Sequence, residues 1–216
     1  MAQVLKLSLD QSVAVALNIF AVVVGVALKQ FLTDSPMIKG FTNVTRKQRA
    51  QLYWSALAVL AALILRFFVG GTVHLRSAFV KKDLQPSDMA LFFKDLFFLI
   101  LFGVLIVKIA SSNRPAEFNR WLMRFLAAGI IWCIIEIPIR WHSPLRSLAI
   151  WWLSANLIQL AVTAFCAWRM RKVAGSERHM FLILAIFFVF VLGLDLQAMA
   201  RYGSSTNSIP ECRCVK

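Results

Sequence analysis

The chain has 216 residues, 60% hydrophobic and 16% charged, with a mean hydropathy of +0.72 and a formal net charge of +14. Soluble domains are about 45–50% apolar and about 25% charged, so a water-solvated fold is excluded. The basic excess points to anionic lipid headgroups as partners and not to nucleic acid, because no RNA- or DNA-binding motif accompanies it.

The apolar residues gather into six runs, roughly 11–32, 53–73, 91–110, 121–140, 148–169 and 179–200. Each is close to the ~20 residues that cross a bilayer core as a helix. No series of ten-residue alternating segments suggests a barrel, and helices are then the way to satisfy the backbone in lipid. The expected fold is all-α: one polytopic membrane domain over residues 1–216, a bundle of about six transmembrane helices.

Only Lys6 precedes the first run, and no small-residue cleavage site follows it. It is therefore read as a retained helix, with Asn18 in its early half. The loop from Thr33 to Gln51 carries Lys39, Arg46, Lys47 and Arg49, which suit docking to anionic headgroups or an acidic partner. The simpler reading is that they set topology. The sequon Asn43-Val44-Thr45 lies in the same loop.

The second run contains Arg66. On a helix it shares a face with Ser55, Ala58, Ala62 and Gly70, and small faces are where membrane helices approach closely. A charge at the bilayer centre costs at least about 2.5–3.5 kcal/mol on insertion scales, so a bundle-facing Arg66 needs a partner. The competing placement is snorkelling of its long stem to the interface. The third run opens with Asp95. The fourth ends with Glu136, which shares a face with Gly129 and Cys133 and has Arg140 four residues on, a favourable pair spacing. The fifth holds Asn156 and Gln159 and is followed by Arg169, Arg171 and Lys172, further candidates for headgroup docking. The sixth holds Asp195, with no basic residue three or four positions away, so its partner must come from another helix, from water or from protonation. In the tail, Cys212 and Cys214 have no His nearby and are too few for a zinc site.

Chain direction alternates, so position along a run converts to depth. Arg66, Asp95, Glu136, Asp195, Asn18, Asn156 and Gln159 all fall in the half that faces the termini. His74 and His142 lie just beyond the helix ends on that side, with Arg76 and Arg140 near them. This one-sided pattern suggests a polar, hydrated pocket with Arg66 as its central cation, Asp195 and Glu136 as counter-charges, and the four others at its mouth. The alternative is a polar network that only fixes helix register.

Of the 24 basic residues, 13 belong to the face with the 1–2, 3–4 and 5–6 loops and 10 to the terminal face, with Arg66 between. The positive-inside rule then favours both termini outside, in a plasma membrane or bacterial inner membrane. Tyr53, Trp54, Trp121 and Trp168 mark one interface; Trp141, Trp151, Trp152 and Tyr202 mark the other.

Three functional classes fit these residues. The first is an ion or small-solute channel or transporter using the pocket. The second is a non-catalytic scaffold, regulatory subunit or oligomeric pore-forming effector, with a homo-oligomer or a partner membrane protein. The third, a membrane-embedded enzyme acting on lipid or phosphate headgroups, lacks an H-E-x-x-H, G-x-S-x-G or metal-spaced motif. No cofactor, metal ligand set or catalytic residue is expected.

Overall fold

A computed structural model describes residues 2–34, 45–79, 86–141, 143, 145–173 and 175–207. Six helices account for nearly all of them: α1 (Ala2–Asp34), α2 (Arg46–Phe79), α3 (Pro86–Ala110), α4 (Pro115–Ile139), α5 (Leu145–Lys172) and α6 (Glu177–Asn207). Each is long and apolar enough to cross a membrane. The protein is a multi-pass, all-helical membrane protein, as its composition requires.

The helices overrun the apolar runs. At 34 residues, α2 is about 51 Å long, well beyond a hydrocarbon core of ~30 Å. Apolar content marks the hydrocarbon layer, while backbone hydrogen bonding carries the helix into the interfaces. This matters for His74: α2 continues to Phe79, so His74 sits inside a helix and not beyond its end.

Local sequence sets the helix ends. Pro115 opens α4, where its missing N–H would have had no intrahelical partner. Pro138 lies in the last turn of α4, which closes with the Arg140 N–H on the Glu136 carbonyl at 3.0 Å. Between α5 and α6, Gly175 has φ of 79°, a left-handed conformation that a side chain disfavours.

Around the bundle, α1 packs on α3, α3 on α4, α4 on α5, α5 on α6, α6 on α2, and α2 on α1, closing a ring; α2 also meets α3 across it. Ring contacts give the depth register. Phe20 meets Phe67 at 4.9 Å and Phe31 meets Tyr53 at 5.5 Å, so α1 and α2 are antiparallel. Phe67, Phe102 and Phe125, from α2, α3 and α4, meet one another with centroids 4.4–5.9 Å apart. Such pairs each add about 0.5–1.5 kcal/mol beyond area burial. On the basic-loop side of this aromatic knot the interior is mostly apolar, with Leu60, Ile106, Ile109, Phe118, Leu122 and Phe181 fully or almost fully buried, and the buried polar side chains there, Ser55, Ser112, Asn119 and Thr163, are all uncharged. On the terminal side it is polar.

Small residues permit the close approaches that membrane helices use in place of a hydrophobic driving force. A Cβ on Gly129 would lie 2.7 Å from the amide nitrogen of Asn156, and one on Gly70 would lie 3.2 Å from the Trp152 ring.

Candidate functional site

The polar interior forms two layers. The deeper one centres on Arg66, 9% exposed and turned into the bundle, which rules out snorkelling. Its Nε pairs with Asp195 of α6, which is fully buried. Its Nη1 donates to Asn156 Oδ1 at 2.9 Å and to Gln159 Oε1, both from α5. Trp151 Nε1 completes the layer, donating to Asp195 Oδ1 at 2.7 Å. Arg66, Asn156, Gln159 and Asp195 reach the centre because each continues its helix's inward stripe: Ala62–Arg66–Gly70 on α2, Trp152–Asn156–Gln159–Thr163 on α5, and Phe188–Val191–Asp195–Met199 on α6; Trp151 is exposed and reaches Asp195 from outside the stripe.

The second layer lies two helical turns along α2, about 12 Å nearer the terminal face. Here His74 Nε2 approaches Asp95 Oδ2 at 3.1 Å and Glu136 Oε1 at 3.6 Å. Lys94 Nζ bridges the two carboxylates, contacting Asp95 Oδ1 at 3.0 Å and also Glu136 Oε2. Arg140 Nε pairs with Glu136 Oε1 at 2.7 Å, and Trp132 Nε1 donates to Asp95 Oδ1 at 3.1 Å. All but Lys94 and Trp132 are buried. Lys94 and Asp95 are neighbours in sequence and converge on one cluster because the flexible Lys stem can swing back to it.

A cavity of about 90 Å³ connects the layers, room for several waters at roughly 10–15 Å³ each. It runs between α2, α3, α4 and α5. Arg66 and Asn156 stand at its inner end, His74 and Asp95 at its outer end, and Trp132 and Trp152 between. Phe67, Phe102 and Phe125 close it towards the basic face.

Several expectations need correction. Glu136 is not a counter-charge of Arg66; one layer removed, it serves Lys94, Arg140 and the edge of His74. Asn18 is exposed, because α1 buries the stripe Val13–Ala16–Phe20–Ala27–Phe31 and Asn18 falls between its members. His74 and Arg140 belong to the buried cluster and not to a mouth, while Arg76 points outward. Trp152 is 8% exposed and packs on Trp132 with centroids 5.8 Å apart, so it lines the interior and is not part of an interfacial belt. His142 and Lys39, with the sequon residue Asn43 and the tail residues Cys212 and Cys214, lie outside the described residues.

Lys94, Trp132 and Trp151 were not anticipated as members of the site. The signal for Lys94 was available in "FFKDLFF", a charged pair inside an apolar run. The two tryptophans carried no such signal, because an indole N–H reveals its role only when an acceptor faces it.

On the opposite face Arg46, Lys47, Arg169, Arg171 and Lys172 are exposed and Arg49 is half-buried. Arg124 lies 4.4 Å and Lys108 6.0 Å from the Trp121 ring, and Lys172 lies 5.4 Å from Trp168, contacts of the cation–π kind.

Comparison with protein-family models, curated proteins and solved structures finds no match. The class to which the chain belongs is therefore defined by its own geometry: a six-helix membrane protein with a two-layered polar interior.

Proposed function

We propose that the protein is a membrane transporter for a small ion or polar solute, which enters the cavity from the terminal face and is held between the His74–Asp95–Glu136 layer and Arg66. One observation carries this reading: charged side chains of both layers line a cavity in the membrane interior instead of being sealed by packing. Intramembrane ionisable groups that face a cavity are where ion and proton pathways are built.

The aromatic knot favours a carrier over an open pore. A path that reaches Arg66 meets Phe67, Phe102 and Phe125 and then a mostly apolar, uncharged plug. Passage across requires a second conformation in which that barrier opens, as in alternating access. Arg66 offers charge-assisted donors to an anionic or polar solute, and His74, Asp95 and Glu136 offer sites for a proton to accompany it. At the basic face, exposed Arg and Lys beside Trp121 and Trp168 suit anionic headgroups.

The test is reconstitution of purified protein into vesicles containing anionic lipid, with flux measured for protons and a panel of small ions and solutes. Flux of at least one species above empty vesicles is expected, reduced at least tenfold by Arg66→Gln. A folded, monodisperse protein that moves none of them would remove this reading and leave the scaffold or regulatory-subunit reading in its place.

A further inference from the structure

The outer layer holds three donor atoms arranged in a way that ion pairing alone does not require. His74 Nε2 lies 3.1 Å from Asp95 Oδ2 and 3.6 Å from Glu136 Oε1, and one ligand atom from each of the three residues lies within 4.8 Å of the others. A tetrahedral zinc ion with bonds of about 2.0–2.2 Å to nitrogen and oxygen holds neighbouring ligand atoms about 3.4 Å apart. The donors come from three helices, α2, α3 and α4, so their convergence is a product of the tertiary fold.

The remaining oxygens are committed in a complementary way. Lys94 contacts Asp95 Oδ1 and Glu136 Oε2, and Trp132 donates to Asp95 Oδ1. The oxygens that face His74 are Oδ2 and Oε1. Glu136 Oε1 also accepts from Arg140, but a carboxylate oxygen has a second lone pair. Hydrogen-bonded carboxylates of this kind orient and tune metal ligands. One further feature points to a ligand at this spot: His74 and Asp95 line the cavity, which leaves one side of the triad open. Arg140 Nη2 is buried without a hydrogen-bond partner among the described residues, a donor that calls for an acceptor such as a water or anion and not for the cation itself.

We infer that His74, Asp95 and Glu136 form a three-ligand site for a divalent transition-metal ion, with its fourth position facing the cavity. One imidazole nitrogen and two carboxylate oxygens suit zinc, manganese or ferrous iron. Three protein ligands and one open position make a site that can exchange its fourth ligand, unlike a closed structural site. Lys94 and Arg140 already balance the two carboxylates, so the ion adds net charge in a poorly solvated place. The site is therefore expected to bind reversibly and not as a permanent lock. This inference does not depend on transport: a protein that binds the ion and moves nothing across the membrane would leave it intact.

The test uses the full chain without a histidine tag, carrying Cys212→Ser and Cys214→Ser so that tail thiols cannot contribute. Zn²⁺ and Co²⁺ are titrated into the detergent-solubilised protein. About one ion per chain is expected, with the visible absorption of four-coordinate Co²⁺. His74→Ala and Glu136→Gln should weaken binding at least 100-fold, since even outer-shell changes cost 10–100-fold. Asp95→Asn, which preserves side-chain size, serves as the variant least prone to misfold, and circular dichroism with size-exclusion profiles checks each protein. A folded parent that binds no ion, or binding that His74→Ala and Asp95→Asn leave unchanged, would overturn the site and reduce the cluster to an ion-pair network.

Discussion

The two polar layers solve the same problem with different means. The deep layer holds one cation and one carboxylate, and its other members, Asn156, Gln159 and Trp151, are neutral. The outer layer gathers Lys94, Arg140, Asp95 and Glu136 around His74. The cost of a charge rises towards the bilayer centre, so deep in the membrane a single matched pair wrapped in neutral dipoles is the affordable arrangement. Nearer the face, the Lys94 side chain is 18% exposed and so is not fully enclosed by the bundle. The layers also join different helices: α2, α5 and α6 in one, α2, α3 and α4 in the other. Arg66 and His74 share one stripe of α2, which makes that helix the post on which both are hung.

The largest effect should come from breaking the deep pair. Arg66→Leu strands a fully buried Asp195, leaving Trp151 as its remaining hydrogen-bond donor. Removing one partner of a buried pair typically costs about 3–5 kcal/mol, read as a fall in thermal stability in detergent. Asp195→Asn and Arg66→Gln should each be destabilising, and the two together should cost less than their sum, with a coupling above about 1 kcal/mol. Additivity within about 0.5 kcal/mol would show that the two groups do not sense each other.

The outer layer should yield more gently. Glu136→Gln removes one carboxylate, but Lys94 retains Asp95 at 3.0 Å, and the new amide oxygen can still accept from a neighbouring cation. A cost of about 1–3 kcal/mol is expected, in the range for hydrogen bonds to charged groups and unpaired donors. A Glu136→Gln loss equal to that of Arg66→Leu would contradict the ranking by depth.

How far the molecule could be read in advance follows the same division. Long apolar runs declare helices in lipid by length alone, so the six-helix fold is legible in the sequence. The small stripe around Arg66 points inward, as in the structure, and the absence of a local cation leaves Asp195 to another helix, to water or to protonation, of which the structure supplies the first, Arg66 of α2. The partner choice of Glu136 was not legible. Arg140 is visible at i+4, but the approach of Lys94 from α3 depends on the rotation and tilt of two helices, which periodicity does not encode. His74 was misplaced because hydropathy reports where lipid ends and not where the helix ends. Depth alone groups Asn18 with the pocket, whereas the stripe Val13–Ala16–Phe20 places it on the outward side.

Asn18 offers the smallest expected effect and the sharpest control on this division. Its side chain is exposed on α1, between Leu17 and Ile19, where it contacts neither polar layer. An isolated amide turned towards hydrocarbon gains nothing from the bundle, and Leu is better solvated there. Asn18→Leu should therefore change thermal stability by no more than about 0.5 kcal/mol, the usual range for surface substitutions away from special features. If Asn18 instead hydrogen-bonds to a second copy across an α1 interface, the same substitution should lower stability by about 0.6–1.7 kcal/mol, the scale of interhelical hydrogen bonds in membranes. It should also shift the oligomer distribution in detergent. Measuring both quantities on one variant separates a lipid-facing amide from a contact between protomers, because the first predicts no change in either.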